Sequence, residues 1–380
     1  MAFIGLGQIG KNLIPILIGC VFCFSSRLLF LYDGTTLFKH DIIPNIIVNA
    51  SQLLTIIPHI MIKKQIISGY SGNELDQEYF NNNKLIYNEK TNVSVLMEGK
   101  YPYIILSSVL NFVQSIVIVF TIVIRTNTWI MDILFSLIFY YLFFKIRLYK
   151  HHYLSIILII LIGIILDLIV GNLQRDIKNN ILFLLLSLLR EIICSLYDVI
   201  NKYLMEKKFC SVYEIIFFNG IIDLILFSIF SIFDYYFFKL ENYEDYFNNF
   251  NLVELLVIFG TMLTQLGLII CIFFTNKKNT PCHIFIIFVF GKFAYYMNFS
   301  ANSVIAIIFL LFILFFSLIF NEIIEINCFG LSKDTKKNII NRAVIEEKES
   351  EDIIEKDEKD NIDNDVEIQL FKDDFSSVNE

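Results

Sequence analysis

Apolar residues run along this chain in blocks, each about 20 residues long, which is the length a helix needs to cross a bilayer core. Short polar breaks separate them. Ten such segments stand out, at 12–31, 42–62, 102–124, 127–145, 152–171, 180–201, 211–236, 252–275, 282–297 and 301–322. Within a block such as Leu154–Leu166 the pattern shows no alternation of polar and apolar positions. Strands of a membrane barrel alternate, and lipid tolerates only helices or closed barrels because it leaves backbone amides no water to bond. The pattern therefore predicts an all-α polytopic membrane protein with ten transmembrane helices. Lys292 interrupts the ninth segment, and Arg125-Thr-Asn-Thr predicts a sharp hairpin between the third and fourth.

Two stretches break the pattern. Residues 1–62 hold the N-terminus and the first two spans, and 63–100 form a mixed-charge, Asn-rich loop. Residues 101–332 hold spans three to ten, and 333–380 form a tail, first basic and then acidic. High charge and few aromatics give that tail little to bury, so it is expected to be disordered. The apolar run after Lys11 lacks a small-residue cleavage site and reads as a first span rather than a signal peptide.

Charge adds orientation. With the N-terminus placed in the cytosol, inner segments carry eighteen Lys and Arg. Outer ones carry five: Lys39, Arg125, Arg175, Lys178 and Lys239. That asymmetry over short loops predicts cytosolic N- and C-termini and an even number of spans. The chain's net charge of −8 belongs to the tail, since residues from Glu346 onward carry 15 acidic and 4 basic groups. Charged residues make up 18% of the 380, well under the usual ~25% of soluble chains. Seven cysteines lie in apolar runs or near inner helix ends and imply no disulfide framework. Cys20-x-x-Cys23 sits within an apolar span without partners for a metal, so packing is the expectation.

Polar groups inside the spans carry the candidate chemistry, because intramembrane charges are costly and face cavities or one another. Arg190 and Glu191 fall near the middle of the sixth span, Asp223 of the seventh and Lys292 of the ninth. Gln114, Gln265, Asn49 and Gln52 reach about the same depth. A polar layer drawn from six helices matches the midplane site of a transporter. In the sixth span Ser187, Glu191, Ser195, Asp198 and Asn201 to Lys202 recur at three- and four-residue steps, which is one helix face. Asp198 and Lys202 are spaced as an ion pair. Arg190 and Lys292 suit an anionic solute, with Glu191 and Asp223 as resting partners or proton acceptors. The structural alternative has Arg190 paired permanently with Asp223 or Glu191. Arg27, Asp132, Asp167, Glu322 and Glu325 fall near span ends and read as a solvated rim, and His151-His152 as surface. No phosphate loop, zinc motif or nucleophile elbow occurs, so neither an enzyme nor a cofactor or metal is expected.

One local stretch resembles a known family. Ser136–Ser155, with its Lys145-x-Arg147 loop, and the following Ile156–Leu166 with Gly163 are similar to the fourth helix, basic loop and fifth helix of the drug/metabolite transporter superfamily, the EamA-like carriers. Thr280-Pro-Cys-His through Asn321-Glu looks like the matching pair of a second repeat. Glu191 to Glu206 resembles the sixth helix of the nucleotide-sugar-transporter-like branch. The resemblance implies two five-helix inverted repeats and a solute carrier or antiporter working by alternating access. It also implies that Lys292 stands where relatives bind substrate phosphate. The reading is then a secondary transporter of an organic anion, a nucleotide sugar or phosphorylated metabolite. A carrier of neutral or cationic metabolites, or a membrane scaffold or receptor recruiting partners through its tail, is the alternative. Expected partners are a small-molecule solute, the bilayer and optionally a second copy, with no nucleic acid. An endomembrane (Golgi, ER or vacuole) is the expected location.

Overall fold

The computed structural model describes residues 4–6, 13–30, 42–61, 99–121, 128–146, 148–170, 172–208, 210–238, 252–297 and 301–326. Nearly all of these are helical. The helices are α1 (Ile14–Phe30), α2 (Ile42–Gln52, running on through a tighter turn to Met61), α3 (Tyr101–Thr121) and α4 (Asp132–Phe144, entered through a 3₁₀ turn at Thr128–Met131). They continue with α5 (Lys150–Val170), α6 (Asn172–Lys207) and α7 (Val212–Phe233, extended by a π turn over Asp234–Phe238). The last are α8 (Leu252–Lys278), α9 (Ile284–Phe293, with 3₁₀ turns at both ends) and α10 (Ala301–Phe320). Each apolar block of the sequence thus becomes a helix. Most of the loop at 63–100 and all of the tail at 333–380 lie outside the described residues.

Six of these helices, α2, α3, α5, α7, α8 and α10, are long and apolar enough to cross a membrane. The segments around α1, α4 and α9 are apolar but shorter. Helix α6 has 36 residues and carries the most charge. It begins at Asn172 rather than near 180, so Arg175 and Lys178 belong to helix rather than to an outer loop. The segment Asn172–Asn180 contains neither Pro nor Gly, and nothing in it stops a helix.

Burial is inverted relative to a water-soluble bundle. Leu17, Val21, Ile157, Leu161, Leu252, Leu256 and Phe259 are exposed on their helices, while Ser107, Asp132, Ser195, Asn201, Lys202 and Asp223 are buried. A water-soluble chain rarely exposes contiguous apolar faces of that size. Lipid is the solvent that matches them, and the chain is an integral membrane protein.

The chain divides into two compact units. The larger, residues 9–148 and 152–321, contains the bundle. Within it α1 packs on α8 and α9, α6 on α3 and α4, and α2 on α7. Helix α7 also meets α3, α2 also meets α8, and α9 lies on α10. Trp129, Ile133, Ile159, Phe285, Val289 and Ile313 form an apolar core among α4, α5, α9 and α10. Ile104, Leu204, Ile215 and Phe273 form another among α3, α6, α7 and α8. Glycines let helices approach. A Cβ on Gly220 of α7 would stand 2.8 Å from Gln52 Cβ and 3.1 Å from the Asn49 carbonyl. One on Gly267 of α8 would stand 2.6 Å from the Phe22 ring, and Gly291 of α9 abuts the Cys23 thiol. Cys20 and Cys23 are free, buried thiols that serve this packing.

The smaller unit comprises residues 1–8, 149–151 and 322–380. Ile4–Leu6 pairs antiparallel with Ile324–Ile326, Gly5 facing Glu325. These two strands escape a sequence reading because three residues are too few to display a period. In the same unit His151 Nε2 lies 3.2 Å from Glu322 Oε1. His151 is buried, so it is not the surface residue its charged neighbours suggested, and Glu322 is partly covered rather than a solvated rim.

Candidate functional site

Helix α6 organises the polar interior. Its polar face is buried, while Ile181, Leu182, Leu185 and Leu189 on the opposite side are exposed. The polar residues of the stripe tie α6 to the α4 segment, α3 and α8. Ser187 Oγ and Thr128 Oγ1, just before α4, are 2.7 Å apart. Ser195 Oγ donates to Asp132 Oδ1 of α4 at 2.6 Å. Ser107 Oγ of α3 donates to Asn201 Oδ1 at 2.7 Å. Asn276 Nδ2 of α8 donates to the Asp198 carbonyl at 2.7 Å. Lys202 Nζ donates to the carbonyls of Asn276, Lys277 and Asn279 at 2.5–3.1 Å, satisfying the end of α8. Its ion-pair partner one turn on is Glu206, at 2.6 Å. It is not Asp198, although the four-residue spacing of Asp198 and Lys202 predicts that pair.

Asp132 is not a rim residue. Its position at a span end suggested solvent, but it is only 4% exposed. Its bond to Ser195 turns it inward, where it feels the charges of Glu191 and Arg190. Asp167, read as a rim residue for the same reason, is also buried.

Around Glu191 a charged group assembles. Arg190 pairs with Glu191, and the Arg190 side chain remains a quarter exposed. Lys292 of α9 feels the charges of Arg190, Glu191 and Arg27 of α1. Among the described residues no carboxylate lies within ion-pair distance of Lys292. Its ammonium instead sits over two rings, 5.3 Å from the Trp129 centroid and 5.4 Å from that of Tyr295. Arg27 Cζ lies 5.6 Å from the same Tyr295 ring. Arg27 is thus part of a cluster rather than of a solvated rim. Each such contact is worth about 0.5–2 kcal/mol. Three cations from three helices, two aromatic rings and the acids Asp132 and Glu191 form a cradle with an excess of positive charge.

The other expected residues separate from it. Asp223 of α7 is fully buried, and its Oδ2 accepts from Asn111 Nδ2 of α3 at 2.6 Å. Gln114 Nε2 donates to Asn111 Oδ1 at 2.9 Å. One turn along α7, Asn219 accepts from Ser108 at 2.8 Å and donates to Ser107 and to the Tyr197 hydroxyl, both at 3.3 Å. Asn49 and Gln52 bond to each other at 3.0 Å on α2, against Gly220. Gln265 Nε2 of α8 donates to Ser26 Oγ of α1 at 2.5 Å.

So Arg190, Glu191 and Lys292 come together, Asp223 and Gln114 share a second network, and Asn49, Gln52 and Gln265 tie helices to one another. Sequence reasoning missed Arg27, Asp132, Trp129 and Tyr295 in the cradle, and Asn111, Tyr197 and Asn219 in the network. Ser107, Asn111 and Gln114 carry a helical three- and four-residue spacing that signals the α3 side of that network. No protein-family model matches the chain, and no curated protein matches it.

Proposed function

We propose that this protein is a secondary carrier that moves a small organic anion across an endomembrane by alternating access. The cargo class is a nucleotide sugar or phosphorylated metabolite, and both termini face the cytosol. The observation that carries the reading is the cradle: Arg27, Arg190 and Lys292 converge from α1, α6 and α9, and only Arg190 has a carboxylate within ion-pair distance among the described residues. Cations within the spans are costly unless paired, even when only half-buried. An anionic ligand would supply Lys292 and Arg27 with the counter-charge their neighbours lack, and would bind a guanidinium in two-pronged fashion.

Helix pairing supports a five-plus-five inverted repeat. Shifting every helix by five exchanges the α1–α8 contact with α6–α3, and the α1–α9 contact with α6–α4. The α2–α7 contact maps onto itself, and α7–α3 exchanges with α2–α8. A cradle built from α1, α6 and α9, with Asp132 of α4, then lies where the two repeats meet, as carrier sites do.

The test uses the chain's single tryptophan, Trp129. In nanodiscs, titration with nucleotide sugars and phosphorylated metabolites should change its fluorescence saturably, since Lys292 lies over its ring. Lys292→Gln and Arg190→Gln should abolish the change and the matching uptake in proteoliposomes. Anion uptake that persists in both variants rejects the reading. The acids Asp132 and Glu191 favour a competing one, a carrier of cations. In that case Arg190→Gln should strengthen cation-induced quenching rather than abolish an anion's effect.

A further inference from the structure

We propose that Asp223 is a proton-carrying site, separate from the cationic cradle, through which the carrier couples to a proton gradient. The site is built from α3, α6 and α7. Asp223 is fully buried, and among the described residues no cation lies within ion-pair distance of it. Its Oδ2 takes one hydrogen bond, from Asn111, while its Oδ1 has no partner among the described residues. An ionised carboxylate in lipid surroundings needs a counter-charge or several donors. A single amide donor falls short of that.

The neutral acid fits better. Protonation at Oδ1 turns the orphan oxygen into a donor. Oε1 of Gln114, in the same network, is likewise a buried oxygen without a donor among the described residues, while its amide nitrogen already holds Asn111, so the network as a whole is short of donors that a proton would add. The Asn111 bond to Oδ2 is kept in either form. The proton is the only species added or removed, so the step balances without a further reactant.

Among the described residues its surroundings contain nothing else placed to hold the charge, and the imidazole of the α2 segment, His59, lies beside Ser211 at the start of α7. Helix α6 brings the Tyr197 hydroxyl, which is held by Asn219. Helix α3 brings amides and hydroxyls, and α2 brings Asn49 and Gln52. Helix α8 carries its charges, Glu254, Lys277 and Lys278, at its two ends. On α7 itself Glu214 is tied to Lys100, and Asp234 lies at the far end. Asp223 would therefore release its proton only when the α3–α7 contact opens and water enters, which is the event that alternating access supplies.

The coupling role rests on the carrier reading; the proton site does not. The experiment therefore has two arms. Infrared difference spectra of the full chain in lipid, recorded across neutral pH, should show a protonated-carboxyl carbonyl band that disappears in Asp223→Asn and shifts in Asp223→Glu. Unchanged Trp129 fluorescence in each variant verifies the fold. A band unaffected by both substitutions overturns the proton site. In proteoliposomes enclosing a pH dye, an imposed gradient of an anion that alters Trp129 fluorescence should move protons with the wild type. With Asp223→Asn it should move none, although anion exchange continues. Equal proton movement in the two overturns the coupling.

Discussion

Tyr295 shows how a side chain with no charge can govern a charged site. Its ring lies within cation–π distance of both Lys292 and Arg27, and its negative π-surface offsets part of the repulsion between the two charges. Tyr295→Leu removes the face, and anion affinity should fall by about 0.5–2 kcal/mol. Tyr295→Phe keeps it and should leave affinity near the wild-type value. Titration of both variants by Trp129 fluorescence checks the pair. Lys100 illustrates charge outside the spans. Burial pulls its ammonium down, but the hydrogen bond and charge of Glu214, 2.5 Å away, outweigh that and hold it above the ordinary lysine value. The ion pair stabilises the fold fully below about pH 10.4, the free-lysine value, and is lost as pH rises through the higher folded value. Lys100→Met leaves Glu214 without its partner and should cost about 1–3 kcal/mol. The difference in thermal unfolding from wild type should stay constant from neutral pH to that point and shrink above it. At this scale the sequence is legible where depth decides, as for Arg190, Glu191 and Lys292. It misleads where a bond does, as for Asp132: distance from a span end cannot reveal that Ser195 draws the carboxylate inward.

Among elements, α6 was the most legible, because a buried polar face against lipid-exposed Ile and Leu leaves a helical period in the sequence. Its starting point was not legible, since nothing between 172 and 180 distinguishes a polar helix from a loop except the lack of Pro and Gly. Close helix contacts were equally hidden. A glycine in an apolar run does not say which neighbour it admits. Gly220 admits α2, with a backbone carbonyl and Gln52 Cβ both nearer than a Cβ could bear. Gly220→Ala should destabilise the protein by about 1–3 kcal/mol. Gly260 of α8 provides the contrast, its nearest neighbour being the flexible Leu29 side chain at 3.6 Å. Gly260→Ala should be tolerated, gaining up to about 1 kcal/mol by stiffening the unfolded chain. Denaturant unfolding in detergent separates the two.

For the whole molecule, the positions of the apolar helices among the described residues followed from hydropathy, but only six of them are long and apolar enough to span, and α1, α4 and α9 fall short of the predicted length of about twenty residues. Pairing did not follow, because apolar faces in lipid have no solvent-driven preference for one partner; Gly220, Gly267 and Gly291 select partners by shape. The cradle and the Asp223 network are built from residues between Arg27 and Tyr295. Deleting residues 346–380 should therefore leave anion exchange in proteoliposomes within about twofold of wild type, which is under 0.5 kcal/mol. A large loss would favour a role for the tail in recruiting partners. Helix α6 has a mechanical consequence as well. At about 1.5 Å per residue its 36 residues make a rod of about 54 Å, against a hydrocarbon layer of about 30 Å. One rod thus holds Arg190 and Glu191 near its centre and must either tilt or project into water. Small rotations about the cradle become larger displacements at its ends, so paired spin labels there, rather than at the binding residues, would read the carrier's rocking with the greatest amplitude.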